Sequence, residues 1–486
     1  MTILILCNIG ARDVFFQNRQ ITPPRSQGET LLKNFEKIHH DLSLPIIGPV
    51  LDELLPKSSP ETDIKLYCFG TDQQDEKFRK TDTLYFAELA VRKLRLIYAE
   101  SDYSFLSKTI SDINPSLYDE AIDAFQSVFV EISKPDYTQV FVILAGGTPA
   151  FNMALLLQGI RFFGDRIQVV YQAPDSKPLF LRVDQQIKQS FNESTAIELV
   201  RKRDYANAAP FLERIQVGEG LTYLNQYVAR RLNFDFAAAN AALQQALRFG
   251  DVGLRDFVNN YLRKGLAQGV DPAVPDTDRL LFLIQELAWN AEITYLQCRY
   301  ADFLGRVFRF QEASLRYLVE KIFGFPTDSH LPETGEIWIK RVESDPALHD
   351  YLDNQIIDHH KLDWKNISRL SLRALLDFAL NNNPADRSAS TCLDKDSDRK
   401  FYSGVYTRVN QLDQWVALRH RTIIGHDFTG VSAEAIQQNA PLKHSDNPVE
   451  SLLEIARMLL DKTLNCTLEN PYKLVTNFLI GKIKKG

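Results

Sequence analysis

Short apolar runs separated by amphipathic stretches fill the first third of the chain. Runs of Ile, Val and Leu with little polar alternation predict strands that are covered on both faces of a sheet. Five such strands are predicted, at residues 3–7, 64–69, 140–144, 167–171 and 179–183. Apolar residues at three- and four-residue spacing predict helices between them, at 29–40, 83–99, 117–132 and 149–163. Strands that alternate with helices are typical of a parallel, doubly wound, Rossmann-like sheet.

Beyond about residue 185 the strand signal fades and helical spacing takes over. Two similar stretches, 201–215 and 230–247, place an aromatic residue near an Asp, then small residues, and predict packed helical hairpins. The Gly-, Pro- and Asp-rich segment 267–278 predicts a linker before a long helical block. The predicted fold class is therefore α/β plus all-α. Its parts are a Rossmann-like sheet domain (1–184), a helical connector (185–275) and a C-terminal helical domain (276–486).

Composition and charge exclude several classes of binding partner and of structure. The chain has 486 residues, 45% of them hydrophobic, and a formal net charge of −6. This balance argues against large-area DNA binding, so any contact with RNA must come from a local basic site. The five cysteines never occur as C-x-x-C, which argues against a zinc ribbon or a disulfide framework and indicates a reducing cytoplasm. No apolar run reaches the roughly 18 residues of a membrane span, and the opening MTILILCNIG is too short for a signal peptide.

Two segments that follow predicted strands carry the features of a ligand site. CNIGARD (7–13) follows the first strand, and AGGTPAFN (145–152) follows a later one. Gly146 and Gly147 leave the backbone open to a ligand, while Thr148 and Pro149 suit the N-cap and first position of a helix. Free N–H groups at such a helix start suit a phosphate, although Gly-Gly can also form a simple turn. The absence of G-x-G-x-x-G and G-x-x-x-x-G-K-[ST] disfavours a dinucleotide oxidoreductase or a P-loop NTPase.

The segment ALRHRTIIGHDFTGVS (417–432) carries the strongest candidate chemistry. It sets Arg421 and His426 five residues apart, with Arg419 and His420 just upstream. On a continuous helix, Arg421 and His426 would lie about 140° apart and could line one cleft. Gly425 would loosen the helix just before His426. Arginine holds a phosphate and histidine moves a proton near neutral pH. The pair suffices to cut RNA through its own 2′-OH without a metal, although the same spacing also arises by chance.

The motifs at both ends together resemble the CARF–HEPN ribonucleases that accompany type III CRISPR systems. NIGARD (8–13), AGGTPAFNMAL (145–155) and, more weakly, FGTDQQD (69–75) resemble the ligand loops of CARF domains. NAEITYLQCRYADFLGRVFRFQE (290–312) resembles the first helices of a HEPN domain, and RTIIGHDFTGVS (421–432) resembles its catalytic segment. The resemblance covers nearly the whole chain.

The resemblance implies a cytoplasmic homodimer in antiviral defence. Paired CARF domains would bind a cyclic oligoadenylate across the two-fold axis, with cyclic tetra-adenylate favoured over the hexa-adenylate. Paired HEPN domains would share one composite site that cuts single-stranded RNA and needs no metal or cofactor. Arg421 and His426 would be the catalytic pair, with Arg419, at a looser spacing, supporting the phosphate. The implied ligand-loop residues are Asn8, Gly10, Arg12, Gly146, Gly147, Thr148 and Asn152.

Three other functions stay open on the sequence. One is a ligand-sensing regulator that binds DNA, against which the acidic balance and the lack of a clear basic recognition helix count. Another is a HEPN toxin-like ribonuclease whose N-terminal domain senses a different signal. The third is an adaptor without nuclease activity.

Overall fold

The first apolar run forms the central strand of a sheet. The computed structural model describes residues 2–55, 62–132, 137–172, 177–263, 276–328, 332–357, 359–381, 393, 396–441, 449–463 and 470–485. The strands within these ranges are β1 (Thr2–Asn8), β2 (Phe15–Phe16), β3 (Arg19–Gln20), β4 (Leu42–Ser43), β5 (Asp63–Asp72), β6 (Ser104–Ser111), β7 (Gln139–Ile143), β8 (Ile167–Tyr171), β9 (Leu179–Leu181), β10 (Ile356–Ile357) and β11 (His360–Lys361).

The main sheet has the strand order β6-β5-β1-β7-β8-β9. All neighbours pair in parallel except β8 and β9, which are antiparallel. The order is that of a doubly wound sheet whose connections reverse direction between β1 and β7, the place where such sheets bind ligands. The predicted Rossmann-like sheet is confirmed, with two corrections. The edge strand β6 was not predicted, and the segment predicted at 179–183 is a short antiparallel strand.

Side chains of β1 alternate between the two faces of the sheet. Ile3 and Ile5 pack in one buried cluster, whereas Leu4 and Leu6 pack in another. Since successive side chains of a strand point to opposite faces, both faces are covered. This burial explains why β1 reads as a continuous apolar run in the sequence.

The helices of the first part of the chain alternate with its strands, and loops connect the two. They are α1 (Pro24–Lys33), α2 (Phe35–Ile38), α3 (Ile47–Leu54), α4 (Glu76–Arg79), α5 (Leu84–Ile97), α6 (Tyr118–Ile132) and α7 (Pro149–Phe163). The helices predicted at 83–99, 117–132 and 149–163 correspond to α5, α6 and α7. The helix predicted at 29–40 is wrong in its bounds, because α1 begins earlier, at Pro24, and ends at Lys33.

The remainder of the described chain is mainly helical. Its helices are α8 (Val183–Arg201), α9 (Tyr205–Arg214), α10 (Glu219–Leu232), α11 (Phe236–Phe249), α12 (Val252–Phe257), α13 (Asp276–Leu296), α14 (Tyr300–Phe323), α15 (Pro332–Glu343), α16 (Pro346–Asp353), α17 (Arg369–Asn381), α18 (Asp396–Gln411), α19 (Asp413–His420), α20 (Ala433–Gln438), α21 (Glu450–Thr463) and α22 (Pro471–Ile483). Short 3₁₀ turns occur at His39–Asp41 and Gly164–Arg166, and a π-turn at Val258–Leu262.

The two similar stretches of the sequence owe their likeness to helix capping. Asp204 accepts the backbone N–H of Asn207 at the start of α9, and Asp235 accepts that of Ala238 at the start of α11. An Asp at the N-cap followed by an aromatic residue therefore marks a helix start in both places. The predicted hairpins are present as helices that share one buried core.

The chain divides into two compact units, Met1–Phe191 and Asn192–Gly486. Within the second unit, the C-terminal part of α8 and helices α9 to α12 share buried contacts with Trp289 of α13 and Tyr472 of α22. The separate connector domain at 185–275 stays a prediction. Most of the predicted linker at 267–278 lies outside the described residues.

Candidate functional sites

The loops after β1 and β7 lie directly against each other. Asn8, the buried last residue of β1, donates its side-chain N–H to the side-chain oxygen (Oδ1) of Asn152 at 2.9 Å. A Cβ on Gly146 would lie 2.1 Å from the Asn8 carbonyl oxygen, and one on Gly10 would lie 2.5 Å from the Gly147 nitrogen. Glycine is therefore required at these positions for the two backbones to meet. The structure brings the two predicted ligand loops together at the carboxyl edge of the sheet.

Asp13 is a buried carboxyl group within the first loop. Its side chain accepts the Gly10 N–H at 2.6 Å, and its residue is 2% exposed. Burial raises the pKa of Asp13 to about 7, although the hydrogen bond from Gly10 opposes the shift. Asp13 is the last residue of NIGARD, and the sequence predicts no role for it. Its position indicates that it holds the shape of the loop.

The start of α7 has the capped geometry that the sequence predicts. The Thr148 side-chain oxygen accepts the Phe151 N–H at 3.2 Å, and Pro149 takes the first helical position. The Thr148 hydroxyl also donates to the Pro115 carbonyl oxygen. Gly147, just before the cap, has φ +80°, a conformation that favours glycine. The N-terminal end of α7 thus opens beside Gly147, where backbone donors suit an anion.

A cavity of about 340 Å³ opens at this edge of the sheet. Among the predicted ligand residues, Gly10, Gly147 and Thr148 line it. Asn8 and Gly146 do not line the cavity and instead lie at the contact between the two loops. The residues that line the cavity are Ile9, Gly10, Ala11, Thr71, Gln73, Phe78, Thr81, Thr83, Asn114, Pro115, Ser116, Gly147, Thr148 and Phe151. Arg12 is exposed and is not part of this lining.

Polar groups after β5 and β6 also face the cavity, and sequence reasoning missed most of them. Gln73 donates its backbone and side-chain N–H groups to the Asp82 carboxylate, both at 2.9 Å. Arg25 binds the same carboxylate at 3.0 Å, so the loop is held on two sides. The sequence could have predicted Gln73 as a cavity residue, because the segment FGTDQQD (69–75) marks the end of a predicted strand. Asn114 and Ser116 had no such signal, since β6 was not predicted.

The segment with the candidate catalytic residues is a turn rather than a helix. α19 ends at His420, Arg421 is its C-cap, and the predicted helical continuation to His426 is wrong. The physical reason is Thr422, whose N–H and hydroxyl both bind the Arg419 carbonyl oxygen, at 2.9 and 2.8 Å. The chain then folds back, and the His426 N–H binds the His420 carbonyl oxygen at 3.0 Å.

This turn closes on itself and leaves the Arg421 and His426 side chains on its outside. The Thr429 N–H binds the Arg421 carbonyl oxygen at 2.9 Å, which places Arg421 and His426 in one closed loop. Both residues are exposed. The rings of His420 and His426 lie 5.7 Å apart and nearly parallel. Desolvation, followed by the charge of Arg419, lowers the pKa of His420, so its neutral form is favoured.

Arg419 supports the turn from below. Its guanidinium lies 4.3 Å from the centre of the Phe308 ring and donates to the Ile424 carbonyl oxygen at 3.2 Å. A guanidinium over an aromatic face is a favourable cation–π contact. Arg419 therefore lies beneath the backbone that carries Arg421 and His426. This geometry fits a supporting role better than that of a second exposed phosphate clamp.

Neither a metal-binding cluster nor a membrane-spanning helix occurs among the described residues. No group of three or more His, Cys, Asp or Glu side chains in them is placed to hold a metal ion. Asp358, part of the Asp-His-His run at 358–360, lies outside the described residues. No helix in the described ranges is long and apolar enough to cross a membrane.

Comparison with known proteins gives a likeness of fold. No protein-family model matches the sequence, and no curated protein matches it. Among solved structures, the chain is similar to Enterococcus italicus Csm6 bound to cyclic hexa-2′-fluoro-hexa-dAMP, with a TM-score of 0.54 and 12% sequence identity. The match covers 99% of each chain. The chain thus has the fold of Csm6 over nearly its whole length, which confirms, for the fold, the CARF–HEPN resemblance seen in the sequence.

Proposed function

We propose that this protein is an endoribonuclease of CRISPR antiviral defence that a cyclic oligoadenylate activates in the cytoplasm. The observation that carries the proposal is the whole-length likeness to Csm6, whose structure holds a cyclic hexa-adenylate analogue. Two features of the chain support it independently. One is the polar cavity between the loops after β1 and β7, and the other is the exposed turn with Arg421 and His426.

The activator would bind in the cavity of the first unit. The N-terminal end of α7 beside Gly147 offers backbone donors to a phosphate of the ring. Gln73, Asn114 and Ser116 offer hydrogen bonds to base and ribose edges. A homodimer would place two such cavities on one ring across its two-fold axis. We expect cyclic tetra-adenylate as the activator, whereas the Csm6 neighbour holds a six-membered analogue, so binding of both rings must be measured.

The reaction would use the 2′-OH of the RNA as nucleophile. His426 takes the proton from this hydroxyl as the oxygen attacks phosphorus, while Arg421 neutralises the phosphate. The P–O5′ bond breaks, and the leaving oxygen takes up a proton to become the 5′-OH of the downstream product. The upstream product then carries a 2′,3′-cyclic phosphate at its 3′ end. DNA lacks the hydroxyl and would not be cut. Since an Arg and a His supply these functions, the chemistry requires no metal.

The direct test incubates the full-length protein with labelled single-stranded RNA in EDTA, with and without each cyclic oligoadenylate. We expect cleavage only with an activator, and products that end in a 2′,3′-cyclic phosphate or its hydrolysis product. Activity that disappears on chelation and returns with Mg²⁺ would overturn the metal-independent mechanism. Activator binding without any cleavage would identify the protein as a sensor or adaptor instead.

A further inference from the structure

Helix α14 presents two adjoining faces to two different features of the second unit. One face meets the catalytic turn: the Phe308 ring lies under Arg419, and a Cβ on Gly305 would lie 3.5 Å from the Ile424 side chain. Arg306 and Arg309, each one residue further along, line a separate cavity of about 300 Å³. Since successive helical residues are about 100° apart, the cavity lies on the face of α14 next to the face that meets the turn.

This cavity combines an apolar floor with a cationic rim. The floor consists of Phe234, Leu280, Leu283, Leu287 and Ala313, and the rim of Arg306, Arg309, Arg316 and Glu312. The rim thus carries three guanidinium groups and one carboxylate. The whole chain carries −6, so this rim is a local basic site of the kind that RNA binding would need.

The two arginines nearest the turn differ in burial. Arg306 donates its Nε–H to the Asn290 side chain at 2.9 Å, and its guanidinium lies 5.7 Å from the centre of the Phe234 ring. Burial lowers the pKa of Arg306, because its charged form has lost water. Arg309 has a side chain 66% exposed and binds Glu312 at 2.7 Å. An anion at the rim would meet one half-buried cation and one exposed cation.

We propose that this cavity binds one nucleotide of the RNA substrate close to the cut. The base would lie on the apolar floor, and the flanking phosphates would bind Arg306 and Arg309. The Glu312 carboxylate would accept a hydrogen bond from an amino group of the base, which favours adenine, cytosine or guanine over uracil. The inference rests on the proposed function and adds a substrate subsite to it.

Size and charge together favour a nucleotide over other ligands. A volume near 300 Å³ is at the lower end of the range for ligand sites, which suits one base rather than an oligonucleotide segment. An apolar floor alone would suit many small molecules, whereas the basic rim selects an anion. Stacking and apolar contact hold a base whatever its identity, so any base preference at this cavity would come from Glu312.

The test measures binding of a fluorescent, fully 2′-O-methylated single-stranded RNA, which cannot be cut, to the full-length protein with its activator. We expect Arg306→Ala and Arg309→Ala each to weaken binding about tenfold. Each should also lower the slope of log affinity against log salt by about 0.7 for the lost phosphate contact. The control is Arg457→Ala, whose arginine is 59% exposed and paired with Glu450 at 2.5 Å but belongs to α21.

A second measurement identifies which base of the RNA occupies the cavity. An abasic residue moved along the RNA should weaken binding to the wild-type protein at one position near the cut. The same scan with Ala313→Leu, which fills the floor, should show no such position. Glu312→Gln should reduce the discrimination against uracil there.

Two outcomes separate this inference from the proposed function. A wild-type protein that neither binds nor cuts RNA in the presence of cyclic oligoadenylates would overturn the proposed function and this site with it. Cleavage by the wild-type protein, with Arg306→Ala and Arg309→Ala binding RNA as Arg457→Ala does, would overturn the nucleotide site alone.

Discussion

The imidazole rings of His420 and His426 lie nearly parallel, 5.7 Å apart, because the backbone N–H of His426 binds the carbonyl oxygen of His420 at 3.0 Å. The chain between them leaves the helix and returns to its end. This return places both rings and the C-cap Arg421 on one exposed surface. The arrangement of the candidate catalytic groups therefore depends on a tight turn and not on helical periodicity.

Gly425 is the residue on which that turn depends most. A Cβ at this position would lie 2.3 Å from the Arg419 carbonyl oxygen and 2.7 Å from the His420 Cα, so backbone would have to move. We expect Gly425→Ala to lower kcat at least about tenfold, since displaced catalytic groups lose orientation. Activator binding should not change. The measurement is RNA cleavage under saturating activator, beside calorimetric binding of the activator.

The matched control is Gly404→Ala in α18. A Cβ on Gly404 meets nothing within 4 Å, and the residue is exposed. This substitution should raise the free energy of unfolding by about 0.5–1 kcal/mol and leave cleavage unchanged. Cleavage by Gly425→Ala at the rate of Gly404→Ala would show that the turn does not position the catalytic groups.

Gly147 should control activator binding. It lines the cavity, has φ +80°, and its Cβ would lie 3.1 Å from that of Asn8. Gly147→Leu places a side chain at the point where a ligand must approach, and the left-handed backbone costs about 1–2 kcal/mol more. We expect the Kd for cyclic oligoadenylate to rise about 100-fold while the fold persists. Gly164→Leu is the control, because Gly164 has φ +55° with open space around it. Normal binding by Gly147→Leu would place the pocket elsewhere.

Asp13 should make the stability of the first unit depend on pH. Burial raises its pKa to about 7 from an ordinary 3.8, so folding favours the protonated form. Its stabilising contribution is fully present below about pH 4 and is lost as the pH rises through 7. Three pKa units correspond to at most about 4 kcal/mol.

The measurement compares the wild-type protein with Asp13→Asn by urea unfolding at several pH values between 4.5 and 8. Hydrogen exchange in β1 reports on the first unit. An amide can still accept the Gly10 N–H, so the variant should keep its fold and lose most of this pH dependence. Equal pH dependence in both proteins would show that Asp13 titrates as an ordinary carboxyl group.

The parts of the fold that the sequence predicted are those where local signals agree with burial. β1 reads as an apolar run because both faces are covered, and Thr148 and Pro149 mark the start of α7 whatever surrounds it. β6 is an edge strand with exposed polar residues such as Thr109 and Ser111, so its pattern is weak. The end of α19 at His420 depends on the hydrogen bond from the Thr422 side chain to the Arg419 carbonyl oxygen. The spacing of apolar residues along the sequence gives no sign of such a bond.

The role of Asp13 shows another limit of the sequence. A carboxylate that follows Gly-x-Arg looks like a solvent-exposed group, because burial of an acidic side chain is rare without a partner. It is buried because Gly10 and Gly146 bring two backbones together around it. That contact joins residues more than 130 positions apart, and no local pattern encodes it.

The nuclease site should be shared between two chains, and mixed dimers test this. A single turn offers one histidine, His426, for proton transfer and one arginine, Arg421, for phosphate binding. Two turns that face each other across a two-fold axis would double these groups in one cleft. Suppose that wild-type chains are unfolded and refolded with a growing fraction of His426→Ala chains, so that subunits pair at random. If both His426 side chains are needed, only wild-type homodimers are active, and activity falls as the square of the wild-type fraction. A linear decline, with heterodimers shown to form, would mean that each chain carries a complete site of its own.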